Sequence, residues 1–184
     1  MFKLLLTVLL LTSLNANAWE KSVGGGLLLN NHDAENSSAD EEMDFSIQFG
    51  LIAYNELQTN LKLRTGAFYT RKSIKGSFGS TDYEYSFDYI TVPATVQFAL
   101  ENSPVHLIGG LNLQIKISDD CDIEGVSCSS SDTDANSLVT PLVLGVAFNL
   151  NEQLTGEATY EHALGETADG LEVSSFVFNV LYKL

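Results

Sequence analysis

The sequence of 184 residues predicts an all-β fold, an eight-stranded antiparallel up-and-down transmembrane β-barrel. Three observations support this fold class. The chain ends in a strand-like segment with apolar residues at every second position, and eight strand-like blocks can be recognised, an even number as in bacterial barrels. No apolar run reaches the ~20 residues that a transmembrane helix needs. A membrane-spanning chain of this kind must therefore cross the bilayer as strands.

The last nine residues have the pattern of a closing barrel strand. One face of this segment carries Phe176, Phe178, Val180, Tyr182 and Leu184, and the other carries Val177, Asn179, Leu181 and Lys183. Successive strand side chains point to opposite faces, so the first set is predicted to contact lipid and the second to face the barrel interior.

The start of the chain has the features of a secretory signal. Lys3 precedes an apolar run at residues 4–11, and the small-residue pattern Ala16-Asn17-Ala18 follows it. Cleavage is therefore predicted after Ala18, so that residues 1–18 form a signal peptide and residues 19–184 form one outer-membrane β-barrel domain. The remaining length suits one eight-stranded barrel with loops and no second domain.

The strand-like blocks are separated by short and long connections in alternation. The blocks cover residues 21–29, 43–54, 61–71, 83–100, 106–118, 138–150, 154–164 and 171–184. The long polar connections are residues 30–42, 72–82 and 119–137. Bacterial barrels place short turns in the periplasm and longer loops outside, so both chain termini are expected in the periplasm.

Apolar and polar side chains alternate with a period of two within the blocks. In block 106–118 one face carries Leu107, Gly109, Leu111, Leu113, Ile115 and Ile117, and the other carries Ile108, Gly110, Asn112, Gln114, Lys116 and Ser118. Blocks 43–54 and 61–71 repeat the alternation. One face is thus predicted to contact lipid and the other a polar lumen, the reverse of a soluble lipocalin-like binder.

Block 83–100 departs from this regular alternation. Its tyrosines up to Tyr89 fall on one face, whereas Ile90, Val92 and the later apolar residues fall on the other. A β-bulge is therefore expected near residues 89–93, where Pro93 also lacks the N–H group that a central ladder requires.

Five charged residues fall on inward faces: Lys62, Arg64, Lys116, Glu157 and Glu161. Unpaired charges in a narrow lumen would be costly, so these residues are predicted to form a paired network. Because an eight-stranded barrel is only wide enough for its own side chains, such a network predicts a plug and not a channel. The alternative is that some of these residues lie in water at the rims.

Several segments together resemble one known family. They are Tyr89-Ile90-Thr91-Val92-Pro93 followed by an apolar strand, Gly109-Gly110 in the next block, Gly145 within residues 144–148, and the aromatic terminal strand. This combination is similar to the PorT-like outer-membrane β-barrel domain. The resemblance covers nearly the whole mature chain and implies eight strands and an outer-membrane location. Members of that family are mostly of undetermined function.

The longest loop contains both cysteines, Cys121 and Cys128. A signal peptide would place them in an oxidising compartment, which favours a disulfide within the loop. A zinc site is the weaker alternative, because two cysteines without a nearby histidine do not supply four ligands.

The long loops also carry most of the acidic residues. These are Asp33, Glu35, Asp40, Glu41, Glu42, Asp119, Asp120, Asp122, Glu124, Asp132, Asp134, Glu166 and Asp169. Asp132, Asp134 and Asn136 have the alternate spacing of calcium loops but lack the glycine and the distal glutamate, so a solvated acidic surface is favoured over a metal site. Arg71, Lys72 and Lys75 in the second long loop are expected either to contact lipopolysaccharide phosphates or to pair with neighbouring acidic loops.

The sequence predicts no catalytic residue, cofactor or metal. Glu161 and His162 are adjacent in a strand and therefore face opposite sides, which argues against a catalytic pair and favours an interfacial His162 beside Tyr160. A net charge of −15 argues against nucleic-acid binding. The favoured function is a structural or surface-interaction role through acidic extracellular loops, with a narrow pore or a lipid A-modifying enzyme as alternatives. The expected partners of this monomer are outer-membrane lipid, lipopolysaccharide and, during insertion, the barrel-assembly machinery.

Overall fold

The computed structural model describes residues 19–34, 40–41, 44–78, 81–123, 126–127, 136–165, 167 and 171–184. Eight long strands form the fold: β1 Glu20–Ala34, β2 Asp44–Gln58, β3 Leu61–Phe78, β4 Thr81–Ala99, β5 Val105–Ile123, β6 Leu142–Asn149, β7 Leu154–His162 and β8 Leu171–Lys183. Three two-residue segments extend the sheet, Asp40–Glu41 beside β3 and Val126–Ser127 and Leu138–Val139 beside β5. In the described part of the chain, no helix is long and apolar enough to span a membrane.

The sheet closes on itself. Each strand pairs antiparallel with its neighbour in sequence, and β8 returns to β1 with a register that runs from Ser22 opposite Lys183 to Ala34 opposite Leu171. The predicted eight-stranded antiparallel barrel is confirmed. Closure leaves no open edge between these strands, as a structure in lipid requires.

The start of β1, the end of β8 and the short turns lie at one end of the barrel, the short-turn end. The turns join β2 to β3, β4 to β5 and β6 to β7. The opposite end, where the other connections lie, is the long-loop end. These two names fix positions along the barrel without reference to a compartment.

The predicted alternation is present in the strands. On β5, Leu107, Leu111 and Ile115 are exposed on the outside, whereas Asn112 and Gln114 are buried inside. The outer surface is correspondingly covered by aliphatic and aromatic side chains, such as those of β2 and β8. An outside that is apolar and an inside that is polar suit a barrel with lipid as its solvent.

Five strands, β1 to β5, are longer than the sequence blocks predicted. β3, β4 and β5 contain 18, 19 and 19 residues and include much of what was expected to be loop at residues 72–82 and 119–137. Polar side chains on both faces conceal the two-residue period in these extensions. Pairing from Arg71 opposite Asp88 to Phe78 opposite Thr81 nevertheless continues the ladder between β3 and β4.

The expected bulge is displaced onto the neighbouring strand. β4 keeps one parity throughout, with Phe87, Tyr89 and Thr91 all buried inside. The register irregularity lies between Asp88 and Tyr89, where the paired residues on β5 are Ser118 and Lys116, so Ile117 is the extra residue. The tyrosines therefore mark an aromatic part of the lumen and not a change of face.

Candidate functional site in the barrel lumen

A buried ion pair between β3 and β7 crosses the lumen. Arg64 donates from Nε to Oε1 of Glu157 (3.1 Å) and from Nη2 to Oε2 (2.7 Å), and both side chains are almost fully buried. Tyr54 donates its hydroxyl to the same carboxylate (3.3 Å), and Arg64 Nη1 donates to Thr95 Oγ1 (3.3 Å). A bidentate arginine-carboxylate pair is among the stronger hydrogen-bonded contacts in proteins.

A second buried carboxylate lies closer to the long-loop end. Glu161 of β7 accepts hydrogen bonds from Asn112 Nδ2 (2.7 Å) and Gln114 Nε2 (3.0 Å) on β5. Lys72 of β3 lies with Nζ 3.3 Å from Oε2 of Glu161, and its side chain is only 2% exposed. The lumen thus contains two charge pairs, and donors from several strands surround each carboxylate.

Neutral polar side chains occupy the space beside these pairs. Gln48 donates to Asn179 Oδ1 (2.8 Å), Thr70 contacts Gln48 Oε1 (3.3 Å), and the hydroxyls of Thr70 and Thr91 are 2.9 Å apart. The cavity lined by Arg64, Asn112, Glu161 and other residues here measures only about 10 Å³. That volume is about the smallest that holds one water molecule.

The five charges predicted for the lumen do not form one network. Arg64, Glu157 and Glu161 lie deep inside, but Lys62 lies at the short-turn end and pairs with Glu20 (2.7 Å). Lys116 of β5 lies nearer the long-loop end than Glu161 of β7. It pairs with Asp119 (Nζ to Oδ2, 3.1 Å), and both side chains are partly buried. Lys62 is one inward position from Arg64 on β3, and Lys116 is one inward position from Gln114 on β5, so neighbouring inward positions can reach either a buried carboxylate or a partner near a rim.

Lys72 corrects a further prediction, since it was assigned to a loop and to lipopolysaccharide phosphates. It is buried because the even-numbered positions of β3 from 62 to 72 face the lumen, a period that extends one residue past block 61–71. The other two basic residues of that set have acidic neighbours on the outside. Arg71 lies 4.0 Å from Asp88 and 3.8 Å from Asp120, and Lys75 lies 3.5 Å from Glu84.

An apolar cluster follows the charged layers toward the long-loop end. Its buried members are Phe87, Tyr89, Val139 and Val173, with Tyr85 packed against them. The rings of Phe87 and Tyr89 lie 6.5 Å apart. Two other buried apolar clusters lie among the polar layers, so the described part of the lumen alternates between polar and apolar packing. They are Ile52 with Tyr54, Phe68 and Leu181, and Ile108 with Val143 and Ala147.

His162 lies on the outer surface of the barrel. Its ring stacks on Tyr160 at 6.3 Å, and its Nδ1 lies 3.3 Å from Ser174 Oγ. Glu161 faces the lumen, so the two adjacent residues point in opposite directions as predicted. Within the described residues, no group of three or more histidine, cysteine or acidic side chains could hold a metal ion.

Other predicted features fall partly or wholly outside the described residues. Cys121 lies near the end of β5, but Cys128 is outside, so their pairing stays a prediction. The signal peptide at residues 1–18 and the calcium-like residues Asp132 and Asp134 also lie outside.

Comparisons with known proteins agree with the barrel architecture. A family model described as outer membrane protein beta-barrel domain matches residues 4–183. Neisserial surface protein A superposes with a TM-score of 0.59 at 14% identity, over 89% of this chain and 97% of that chain. Ail of Yersinia pestis, in complex with the heparin analogue sucrose octasulfate, gives 0.57 at 16% identity, over 90% and 99%. No curated protein matches. At such identities the structural likeness shows the fold alone, and the narrower PorT-like resemblance stays a prediction.

Proposed function

The chain belongs to the outer membrane protein beta-barrel domain family and is a small barrel of the bacterial outer membrane, and we propose that it acts there as a plugged barrel with a surface-interaction role. In this proposal the lumen is a structural core. The acidic loops and the strand extensions at the long-loop end contact partners at the cell surface.

The observation that carries the proposal is the filled lumen. Glu157 and Glu161 are each 2% exposed and are held by side chains from other strands. An ion crossing the barrel would have to separate Arg64 from Glu157 and Lys72 from Glu161, which would leave buried charges without their partners. The cavity beside these pairs measures about 10 Å³, which is room for about one water molecule.

The long strands support a role outside the membrane. A transmembrane strand needs ~9–11 residues, and β4 and β5 each have 19. The outer surface of the extended strands carries ion pairs between neighbours, Arg71 of β3 with Asp120 of β5 and Lys75 of β3 with Glu84 of β4. Because these basic residues are already paired, the other acidic residues of the loops have few cations near them in sequence. We therefore propose a cationic partner, unlike the sulfated sugar present in the Ail structure.

Binding of a polycation to proteoliposomes tests the surface role. Polylysine is expected to bind the refolded protein at low salt and to dissociate as salt screens the charges. A variant in which Glu35, Asp40, Glu41 and Glu42 are replaced by glutamine or asparagine should bind less. Its control neutralises the exposed carboxylates Glu56, Glu101 and Glu152 at the short-turn end. Equal losses in both variants would contradict a role for the long-loop end.

Planar-bilayer conductance tests the plug. The protein, shown to be folded by heat-modifiable gel migration, is expected to give silent bilayers. Reproducible single-channel steps would overturn the plugged barrel and favour the narrow pore.

Three further assignments complete the proposal. Signal cleavage after Ala18 would leave Trp19 as the first residue, which N-terminal sequencing of the outer-membrane protein checks. The monomer would meet lipopolysaccharide and, during insertion, the barrel-assembly machinery.

Cys121 and Cys128 would form a loop disulfide, so alkylation without reductant should add no mass to the intact protein. Two added groups would exclude the disulfide.

A further inference from the structure

A cavity of about 190 Å³ lies at the short-turn end of the lumen, and we call it the vestibule. Its lining includes Glu20, Lys62, Gln97, His106 and Lys183. We propose that the vestibule binds a carboxylate with an adjacent N–H donor, as found in an N-acyl amino acid or at the carboxyl end of a peptide. A cavity of about 150 Å³ in another protein holds benzene, so this volume suits a ligand of that size.

The cationic side of the vestibule has unused donors. Lys62 and Lys183 both contact Glu20, with Nζ to Oε2 and Nζ to Oε1 distances of 2.7 Å and 3.5 Å. The hydrogen bond from Lys62 lowers the pKa of Glu20, which keeps that carboxylate ionised at neutral pH. Two ammonium groups therefore share one carboxylate, and each ammonium has three donors. A carboxylate from a ligand would balance the second positive charge of the two lysines. The other acidic residue of the lining, Glu152, is exposed at the mouth of the vestibule.

The acceptor side is a buried amide. Gln97 is 7% exposed, and its Oε1 has no hydrogen-bond partner among the described residues. A buried acceptor without a partner is costly, so a ligand N–H at this position would be favourable. Gln97 lies directly opposite Lys62 in the pairing of β3 with β4. Opposite residues on one face have Cβ atoms about 4.5–5.5 Å apart, so the acceptor and the cation are adjacent.

The opposite wall is neutral and polar. His106 Nε2 lies 3.3 Å from Asn149 Nδ2. Burial, with a smaller contribution from Lys62, lowers the pKa of His106, so the ring is neutral at pH 7. A neutral ring leaves the lysines as the cations that select for a carboxylate and does not repel the ligand N–H.

Titration with N-acetylglycine, followed by NMR of the refolded protein in neutral micelles, tests the proposal. We expect saturable shifts of the Gln97 side-chain amide and the His106 ring, with a Kd in about the millimolar range for so small a ligand. Acetate lacks the donor and N-acetylglycinamide lacks the carboxylate, so each should bind at least about fivefold more weakly. No saturation up to about 50 mM, or equal binding of acetate, would overturn the proposal.

Single substitutions locate the response. Lys62→Met and Gln97→Met should each reduce N-acetylglycine binding, whereas Lys21→Met, at an exposed position on the outer face of β1, should leave it unchanged. Gel migration shows whether each variant is folded. Binding that survives both vestibule substitutions would overturn the assignment.

A longer probe distinguishes the two sources of this chemistry. If N-acetyl-Ala-Ala-Gly binds as well as N-acetylglycine, the vestibule accepts the end of a peptide; if only N-acetylglycine binds, the ligand is a free small molecule. Both results support the site. Ligand binding in the vestibule does not depend on whether the lumen is closed or on the surface-interaction role, and those two proposals have their own tests.

Discussion

Each of the two carboxylates deep in the lumen is held by several donors. Glu157 accepts from Arg64, Tyr54 and Asn179, while Glu161 accepts from Asn112, Gln114 and Lys72. Burial of an ionised carboxylate is costly unless opposite charge and hydrogen bonds compensate it. These residues are therefore strongly coupled, and loss of one member should cost far more than loss of an exposed pair.

Replacing Arg64 by methionine tests this coupling. The substitution leaves Glu157 buried without its counter-ion, so we expect a loss of about 3–5 kcal/mol in the free energy of unfolding, measured by urea titration in lipid vesicles. The control is Lys62→Met, which removes an ion pair whose side chains are 35% and 46% exposed and should cost only about 0–1 kcal/mol. In Arg64→Met with Glu157→Met, part of the stability should return. Equal effects of the two single substitutions would contradict the buried pair.

Two glycines offer a second comparison at the scale of a side chain. A Cβ added at Gly156 would lie 2.8 Å from ring carbons of Phe148, which covers this glycine on the outer face. A Cβ at Gly109 would meet its nearest atom at 3.7 Å, an ordinary contact. Gly156→Ala should therefore displace the Phe148 ring and cost about 1–3 kcal/mol. Gly109→Ala should be neutral or stabilising by up to about 1 kcal/mol.

Urea unfolding and the NMR shifts of the Phe148 ring measure both effects. A Gly156→Ala variant that is as stable as Gly109→Ala, with an unchanged ring, would show that Phe148 does not pack on this glycine.

At the scale of the strands, the sequence alone predicts which side chains face outward wherever one face of a strand contacts lipid. The alternation in β5 predicted which side chains would be exposed because lipid contact imposes a two-residue period. Beyond the apolar belt both faces are polar, and the period disappears from the sequence. The extensions of β3, β4 and β5 were consequently assigned to loops, and Lys72 with them.

The aromatic residues of β4 are a second place where the two-residue period did not predict the structure. Tyr89 was expected near a change of face, since inward positions were assumed to be polar. The interior instead holds an apolar cluster of Phe87, Tyr89, Val139 and Val173 from three parts of the chain. Contacts between segments so distant in sequence cannot be inferred from local periodicity. Nor could the sequence show that Lys62 would pair with Glu20 at a rim.

The outward face of β5 allows a test of depth in the membrane. Leu111 lies in the middle of the exposed apolar row from Leu107 to Ile117. Leu111→Arg should reduce the free energy of folding into bilayers by about 2–4 kcal/mol, and Ile117→Arg, at the end of the row, by about 0–1 kcal/mol. Folding yield by gel migration and urea titration measures both. Normal folding of Leu111→Arg would contradict the assignment of this face to lipid.

At the scale of the whole molecule, the two ends of the barrel differ in their chemistry. The short-turn end has the vestibule, the start of β1 and the end of β8, and the long-loop end has the long strand extensions and the connections that are rich in acidic residues. In the two proposals, the lysines of the vestibule bind a carboxylate at the short-turn end, and the acidic loops bind a cationic partner at the long-loop end. The barrel between them, with its buried pairs, separates the two aqueous sides.

The orientation of these ends in the membrane is the last prediction. Bacterial barrels have short turns in the periplasm and longer loops outside, so the vestibule should face the periplasm. An epitope inserted between residues 79 and 80, in the connection from β3 to β4, should bind antibody on intact cells. The same epitope between Glu152 and Gln153, in a short turn, should become accessible only after the outer membrane is permeabilised. A periplasmic marker protein controls for leakage. Detection of the Glu152 insertion on intact cells would reverse the orientation and place the vestibule, rather than the acidic loops, at the cell surface.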